Sequence, residues 1–158
     1  MPRASKTSVV EPPPISLINF REIHRSTATR RVELIRHGVR AVELKAMVRM
    51  MDASQDRMYK LLRLSPATIN RKASRDEALS MEDSERVVGM SNLIGQVQTM
   101  VEQSGDPTGF DAAKWLAHWI EEPLPALGGA RPADYLDTME GIRLVANLLA
   151  TMQSGAYT

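Results

Sequence analysis

Residues 54–72 run Ser54-Gln55-Asp56-Arg57-Met58-Tyr59-Lys60-Leu61-Leu62-Arg63-Leu64-Ser65-Pro66-Ala67-Thr68-Ile69-Asn70-Arg71-Lys72. Ser54 stands where a helix needs a side-chain acceptor for its free N–H groups. Met58, Leu61 and Leu62 follow it at helical spacing. Leu64 falls in a tight turn, and Ser65-Pro66 opens a second helix with proline at its first position. Ile69 is the apolar anchor of that helix, which leaves Ala67, Thr68, Asn70, Arg71 and Lys72 facing outward. The spacing therefore predicts helix, turn, helix over residues 54–73. In a helix-turn-helix the second helix presents its N-terminal residues to base edges while the first crosses the backbone. Asn pairs with adenine and Arg with guanine through two hydrogen bonds. Gln55, Ser65, Lys72 and Arg75 suit phosphate contacts. A plain helical hairpin with a solvated face has the same spacing. The Ser-Pro-x-Thr start and the basic surroundings favour DNA.

Those surroundings are one half of a divided chain. Residues 1–75 carry 16 Lys/Arg against 6 Asp/Glu, a net +10, and residues 76–158 carry 4 against 13, a net −9, inside a total of +1. A basic half beside an acidic half implies two tasks, and the basic one matches phosphates. The 158 residues contain no cysteine, which excludes disulfides and thiolate chemistry and fits a reducing compartment. No apolar run reaches the length of a membrane span, and no apolar leader opens the chain. A soluble, cytoplasmic protein with no membrane partner is expected.

The other segments also read as helix. Residues 1–20 form a basic, proline-rich tail expected to be disordered, with Pro12-Pro13-Pro14 at its centre. Val32, Ile35 and Val39 recur at helical spacing, as do Leu44, Met47, Val48 and Met51. Ser80-Met81-Glu82-Asp83 opens a long helix over 81–103 with Val87, Met90, Ile94, Val97 and Val101 on one stripe. This helix serves either as a dimer contact or as a core element. Gly105-Asp106-Pro107 closes it. The expected division is a helix-turn-helix domain over 21–105 and a second small domain over 108–158. No strand pattern occurs, so the fold class is all-α.

The second domain contains Leu127-Gly128-Gly129-Ala130-Arg131-Pro132-Ala133-Asp134-Tyr135-Leu136-Asp137-Thr138-Met139-Glu140-Gly141. Two glycines free the backbone, Pro132 starts a short helix over Pro132–Leu136, and Asp137 or Thr138 caps the next one. The product is an exposed corner between helices. Its glycines serve a tight turn or a close partner, and Arg131 serves a partner carboxylate or a helix C-terminus of this chain. Trp115 and Trp119 share one helix face, as core or as interface anchors. His24, His37 and His118 lack metal-ligand spacing, and no nucleophile, acid–base pair or phosphate loop can be named. No cofactor, metal site or catalytic residue is expected, and the chain reads as a non-enzyme.

In order along the chain stand Leu64-Ser65-Pro66-Ala67-Thr68-Ile69-Asn70-Arg71-Lys72, Leu79-Ser80-Met81-Glu82-Asp83-Ser84-Glu85-Arg86, Trp115-Leu116, the glycine corner with Arg131-Pro132, Leu136-Asp137-Thr138 with Glu140-Gly141, and Gly155 with Tyr157. Together they resemble the Xre/MbcA/ParS antitoxins over roughly residues 30–158. The resemblance implies an Xre-type helix-turn-helix bundle followed by a toxin-binding domain. It implies an antitoxin of a type II system that neutralises a RES-class, NAD-depleting toxin and binds its own operator DNA. It implies a homodimer within a larger hetero-oligomer. It places Trp119, Leu127, Gly128, Gly129, Arg131, Pro132, Tyr135, Asp137, Gly155 and Tyr157 at or near the toxin. The chain departs from the family pattern at Leu124, Ala130 and Ser154. The alternative is a stand-alone regulator whose acidic half only dimerises.

Overall fold

The computed structural model describes residues 14–155. Its α-helices are α1 (Phe20–Arg25), α2 (Ala28–His37), α3 (Ala41–Met50), α4 (Gln55–Leu61), α5 (Pro66–Ser74), α6 (Met81–Ser104), α7 (Ala112–Trp119) and α8 (Met139–Gln153). Two 3-10 turns, Pro125–Leu127 and Pro132–Tyr135, lie between α7 and α8. Among the described residues there is no strand, and the expected all-α class holds.

Local chemistry explains the helix starts. Asn19, Thr27, Ser54, Ser65, Ser80, Asp111 and Thr138 each accept a hydrogen bond from a first-turn N–H of the helix that follows. Helix α3 has no side-chain cap. Its first N–H instead donates to the Glu77 carbonyl (3.0 Å), and Leu79 N donates to the Val39 carbonyl (2.7 Å). This isolated bridge clips the chain entering α3 to the chain leaving α5.

Helix α6 is the centre of the molecule. Val87 to Ser91 and Leu93 to Gly95 are all buried, so the helix is enclosed on every side in its middle turns. Small residues make room for its neighbours. A Cβ on Gly95 would strike the Phe20 carbonyl of α1, and one on Gly89 would press on Ile142 of α8. The long helix is thus a core element, and its apolar stripe is covered by this chain.

The expected tail over 1–20 needs correction at its end. Residues 1–13 lie outside the described residues, but Ile15, Leu17 and Phe20 are buried in the core. Ser91 Oγ donates to the Leu17 carbonyl (2.7 Å) and is itself buried. The Pro run is thus followed directly by three apolar side chains that belong to the core. Buried side chains from Ile15 to Leu149 form one continuous core. The two halves of the chain therefore share an interior.

Candidate functional site

Two surfaces carry the residues singled out above. The first is α5 and the turn before it. Ile69 is fully buried while Ala67, Asn70, Arg71 and Arg75 are exposed, with Thr68 and Lys72 half-buried. Gln55 is exposed on the first turn of α4. Ser65 Oγ accepts from Thr68 N (3.4 Å) as the cap of α5, which leaves its own hydrogen free for a phosphate oxygen. Arg71, Lys72 and Arg75 have no carboxylate partner among the described residues. Arg40, by contrast, is paired with Asp76. Helix α5 thus carries unneutralised cations around a single buried anchor.

Two further residues, Lys45 and Arg86, belong to this surface. Lys45 of α3 donates to Asn70 Oδ1 (2.8 Å), which adds a cation to the outer face and occupies the acceptor that adenine pairing needs. Arg86 of α6 holds the turn between α4 and α5. Its Nε donates to the Leu62 carbonyl (2.7 Å) and its Nη2 to the Arg63 carbonyl (3.3 Å). Asp83 accepts from the same guanidinium at 2.7 Å. Arg63 itself is left-handed, with φ +58°, a conformation that costs a non-glycine residue energy. Arg86 thereby satisfies carbonyls at the point where the backbone is least comfortable. The Leu79–Arg86 motif contained the signal, but its target lies 23 and 24 residues away.

The second surface is the glycine corner. Gly128 and Gly129 have φ of +64° and +90°, and a Cβ on either would meet only open space. Backbone geometry demands these glycines, with no crowding inside the chain. Leu124 N bonds to the Ala130 carbonyl (3.0 Å) and Gly129 N to the Leu124 carbonyl (2.9 Å), which closes the loop on itself. Gly141 is different: its Cβ would collide with the Tyr135 carbonyl, so it lets the second 3-10 turn lie against the start of α8. Thr138 caps α8, accepting from Gly141 N at 3.0 Å.

The expected contacts on this surface divide. Gly128, Gly129 and Asp137 are exposed, and Leu127, Arg131 and Tyr135 half-buried. Leu127 lines a groove of about 390 Å³ with Ala126, Leu144 and Leu148, and Glu140 and Arg143 are also in its lining. Two residues need correction. Trp119 is only 6% exposed and stacks on Trp115 with ring centroids 5.7 Å apart. Pro132 is buried beside Ala133. Both shape the surface from beneath, because the α7 face that carries Trp119 also carries Leu116 and packs inward. Gly155 ends α8 with φ +69°, and Tyr157 lies outside the described residues.

An ion-pair cluster joins the two surfaces. Glu121, just after α7, receives Arg57 of α4 through two parallel bonds, Nε to Oε1 at 2.7 Å and Nη2 to Oε2 at 2.9 Å. Arg131 Nη1 reaches the same Oε2 at 3.2 Å, and the Arg131 backbone N–H donates to Asp134 Oδ2 at 3.0 Å. The hydrogen bonds from Arg57 chiefly hold the Glu121 carboxyl below its ordinary range, against the opposing effect of burial. Among the described residues no group of three or more His, Asp or Glu is placed to hold a metal ion, and no helix is long and apolar enough to cross a membrane.

The comparisons with known proteins fall on these surfaces. The model of the antitoxin Xre-like helix-turn-helix domain matches residues 30–91. The model of the antitoxin Xre/MbcA/ParS C-terminal toxin-binding domain matches residues 109–155. A protein of Sphingobium sp. (strain YBL2), named Prs ADP-ribosylating antitoxin, is 46% identical over 138 residues, 87% of each chain.

Proposed function

The chain belongs to the Xre/MbcA/ParS antitoxins, and from that premise we propose that it neutralises a RES-class toxin with its acidic half and binds its own operator with its basic half. The observation that carries the first part is the coincidence of the toxin-binding match, residues 109–155, with the glycine corner and the groove beside α8. Its exposed members, Gly128, Gly129, Asp137 and Leu144, form the contact surface with half-buried Leu127, and Arg131 and Tyr135 flank it. Gly155, just past the end of α8, and Tyr157 are assigned to the same contact.

The toxin of this reading consumes NAD. The name of the Sphingobium relative contains both ADP-ribosylation and Prs, which favours transfer of ADP-ribose to a protein over simple hydrolysis of NAD. In such a transfer the bond between nicotinamide and ribose breaks, nicotinamide leaves, and a nucleophile of the target takes the ribose carbon. That chemistry belongs to the toxin. The antitoxin chain has a binding role and no catalytic one.

For operator binding, the carrying observation is α5, with Arg71, Lys72 and Arg75 unpaired beside exposed Ala67 and Asn70, on a helix-turn-helix held by Arg86. Arg71 reads base edges, Asn70, whose Oδ1 is held by Lys45, offers its amide N–H groups beside it, and Gln55, Ser65, Lys72 and Arg75 meet phosphates. A homodimer supplies two such helices for two half-sites, inside a larger assembly with toxin.

Co-expression tests the first part. The neighbouring reading frame should arrest growth alone and not with this chain. Labelled NAD should mark a cellular protein only when the antitoxin is absent. A neighbour that is harmless, or arrest unrelieved by this chain, defeats the toxin assignment. Loss of NAD without any labelled protein would leave neutralisation standing and replace transfer by hydrolysis.

A further inference from the structure

We propose that Lys45 is a positioning residue that sets which base Asn70 reads, so that the natural chain selects guanine where an unheld asparagine would select adenine. The inference rests on the proposed operator binding and deepens it by naming the base recognised at one position of the half-site.

Ala67, Asn70, Arg71 and Ser74 recur at i, i+3, i+4 and i+7 and are all exposed, so they form one outward stripe on α5 while Ile69 is buried beneath it. Helix α3 lies against α5 and brings Lys45 to the edge of that stripe. There Lys45 Nζ donates to Asn70 Oδ1 at 2.8 Å. An ammonium carries donors only, so the atom it meets is the carboxamide oxygen, and the NH2 group of Asn70 turns away from Lys45. That NH2 group has no partner among the described residues. Lys45 has no carboxylate partner among them either, so its positive charge stays beside the amide.

The bond changes what asparagine offers a base. In the major groove adenine presents an acceptor, N7, beside a donor, the N6 amino group, and pairing with both takes a side chain that donates and accepts. Asn70 keeps its donors, but its oxygen is engaged. The second lone pair of Oδ1 lies beside the same ammonium, which repels the partly positive amino hydrogens of adenine. Guanine presents two acceptors, N7 and O6, and no donor. It therefore matches both the free NH2 group and the neighbouring charge. Thymine matches less well, because its one acceptor, O4, stands beside a methyl group. Arg71, next along the stripe, is likewise a donor only.

The test uses the full chain and a duplex of the operon's own promoter at fixed salt, with each base pair of the protected half-site replaced in turn by every other. Asn70→Ala locates the position, as the one where base preference falls to about 1-fold. There the natural chain should favour guanine over adenine by about 5-fold or more. Lys45→Met, which keeps the length of the arm and loses the ammonium, should reverse that order. Thermal melts check that both variants are folded. Base analogues test the natural chain with no substitution in the protein. Hypoxanthine, which keeps O6 and N7, should bind like guanine, and 2-aminopurine, which lacks O6, should bind about as weakly as adenine. A Lys45 that only meets phosphate would lower affinity equally for every base pair and leave their order unmoved, which overturns the proposal. A natural chain that favours any base other than guanine at that position overturns it too, as does an Asn70→Ala variant that changes no preference. A natural chain that does not bind the promoter loses the operator reading itself, whereas binding with a base order that Lys45→Met leaves unmoved loses only the role of Lys45.

Discussion

The helix-turn-helix and the glycine corner solve opposite problems with charge. On α5, cations stand free and the backbone is entirely regular: a cap, a proline at the first position, one buried anchor. At the corner, charges are consumed internally by Glu121, Arg131 and Asp134, and the surface left over is shape, two left-handed glycines above an apolar groove. The first surface suits a partner defined by repeated phosphates, whose attraction is long-ranged and weakened by salt. The second suits a protein partner, where fit governs affinity more than net charge does.

The sharpest way to break this contrast is to remove the anchor of α5. Ile69→Ala empties a fully buried site and should cost about 2–5 kcal/mol, read as a lower urea midpoint. Because the core is shared, toxin capture should suffer along with operator binding. The double variant Arg71→Ala with Lys72→Ala should spare stability and separate the halves. Operator affinity should fall by about 1–3 kcal/mol or more, and the salt slope should flatten by roughly 2. Toxin capture should be unchanged. Loss of both activities would show that the basic face also serves the toxin.

The corner gives the converse experiment. Gly128→Ala places a side chain at φ +64° and should cost about 1–2 kcal/mol, seen as weaker neutralisation with operator binding intact. Gly128→Asn tolerates that backbone better and meets only open space within the chain. If Gly128→Asn also blocks toxin capture in pull-downs, toxin backbone approaches this position directly. Retained capture would make the glycine a device of the turn alone.

The smallest effect is that of pH on the bridge. The Glu121 carboxyl is held below its ordinary range by Arg57, so its pKa is lower in the folded chain than in the unfolded one. The stabilisation is present above the unfolded value and disappears as pH falls through the folded one. The stability difference between the natural chain and Glu121→Gln should be about 1 kcal/mol or less at neutral pH, since the pair is partly exposed. It should shrink on acidification. A difference that grows instead would contradict the assigned direction.

What was legible in the sequence was local. Ser54, Ser65, Ser80 and Asp111 announce their helices because a cap acts on N–H groups two or three residues ahead. The all-α class and the helix-turn-helix follow from such signals and from period. The contacts between segments were not legible. Lys45 with Asn70, Arg86 with the turn, and Arg57 with Glu121 each join residues 23 to 64 positions apart, and any of these cations could have been a solvated surface charge. Trp119 shows the same gap from the other direction: its spacing fits a core or an interface equally, and only the packing of α7 onto α6 decides. The stretch from Ile15 to Phe20 was misread because a proline run says how a chain cannot be coiled, and says nothing about what the next apolar side chains will touch.

The enclosure of α6 has a consequence for the lifetime of the protein. A cut after Gly105 would strip α7 and α8 from α6 and bare Gly89, which packs against Ile142, and Gln96, which holds the Ala146 carbonyl, so no half-molecule is left with a finished interior. Opening that exposes one half to a protease exposes the other. On the proposed function, degradation should therefore end operator binding and neutralisation in one event.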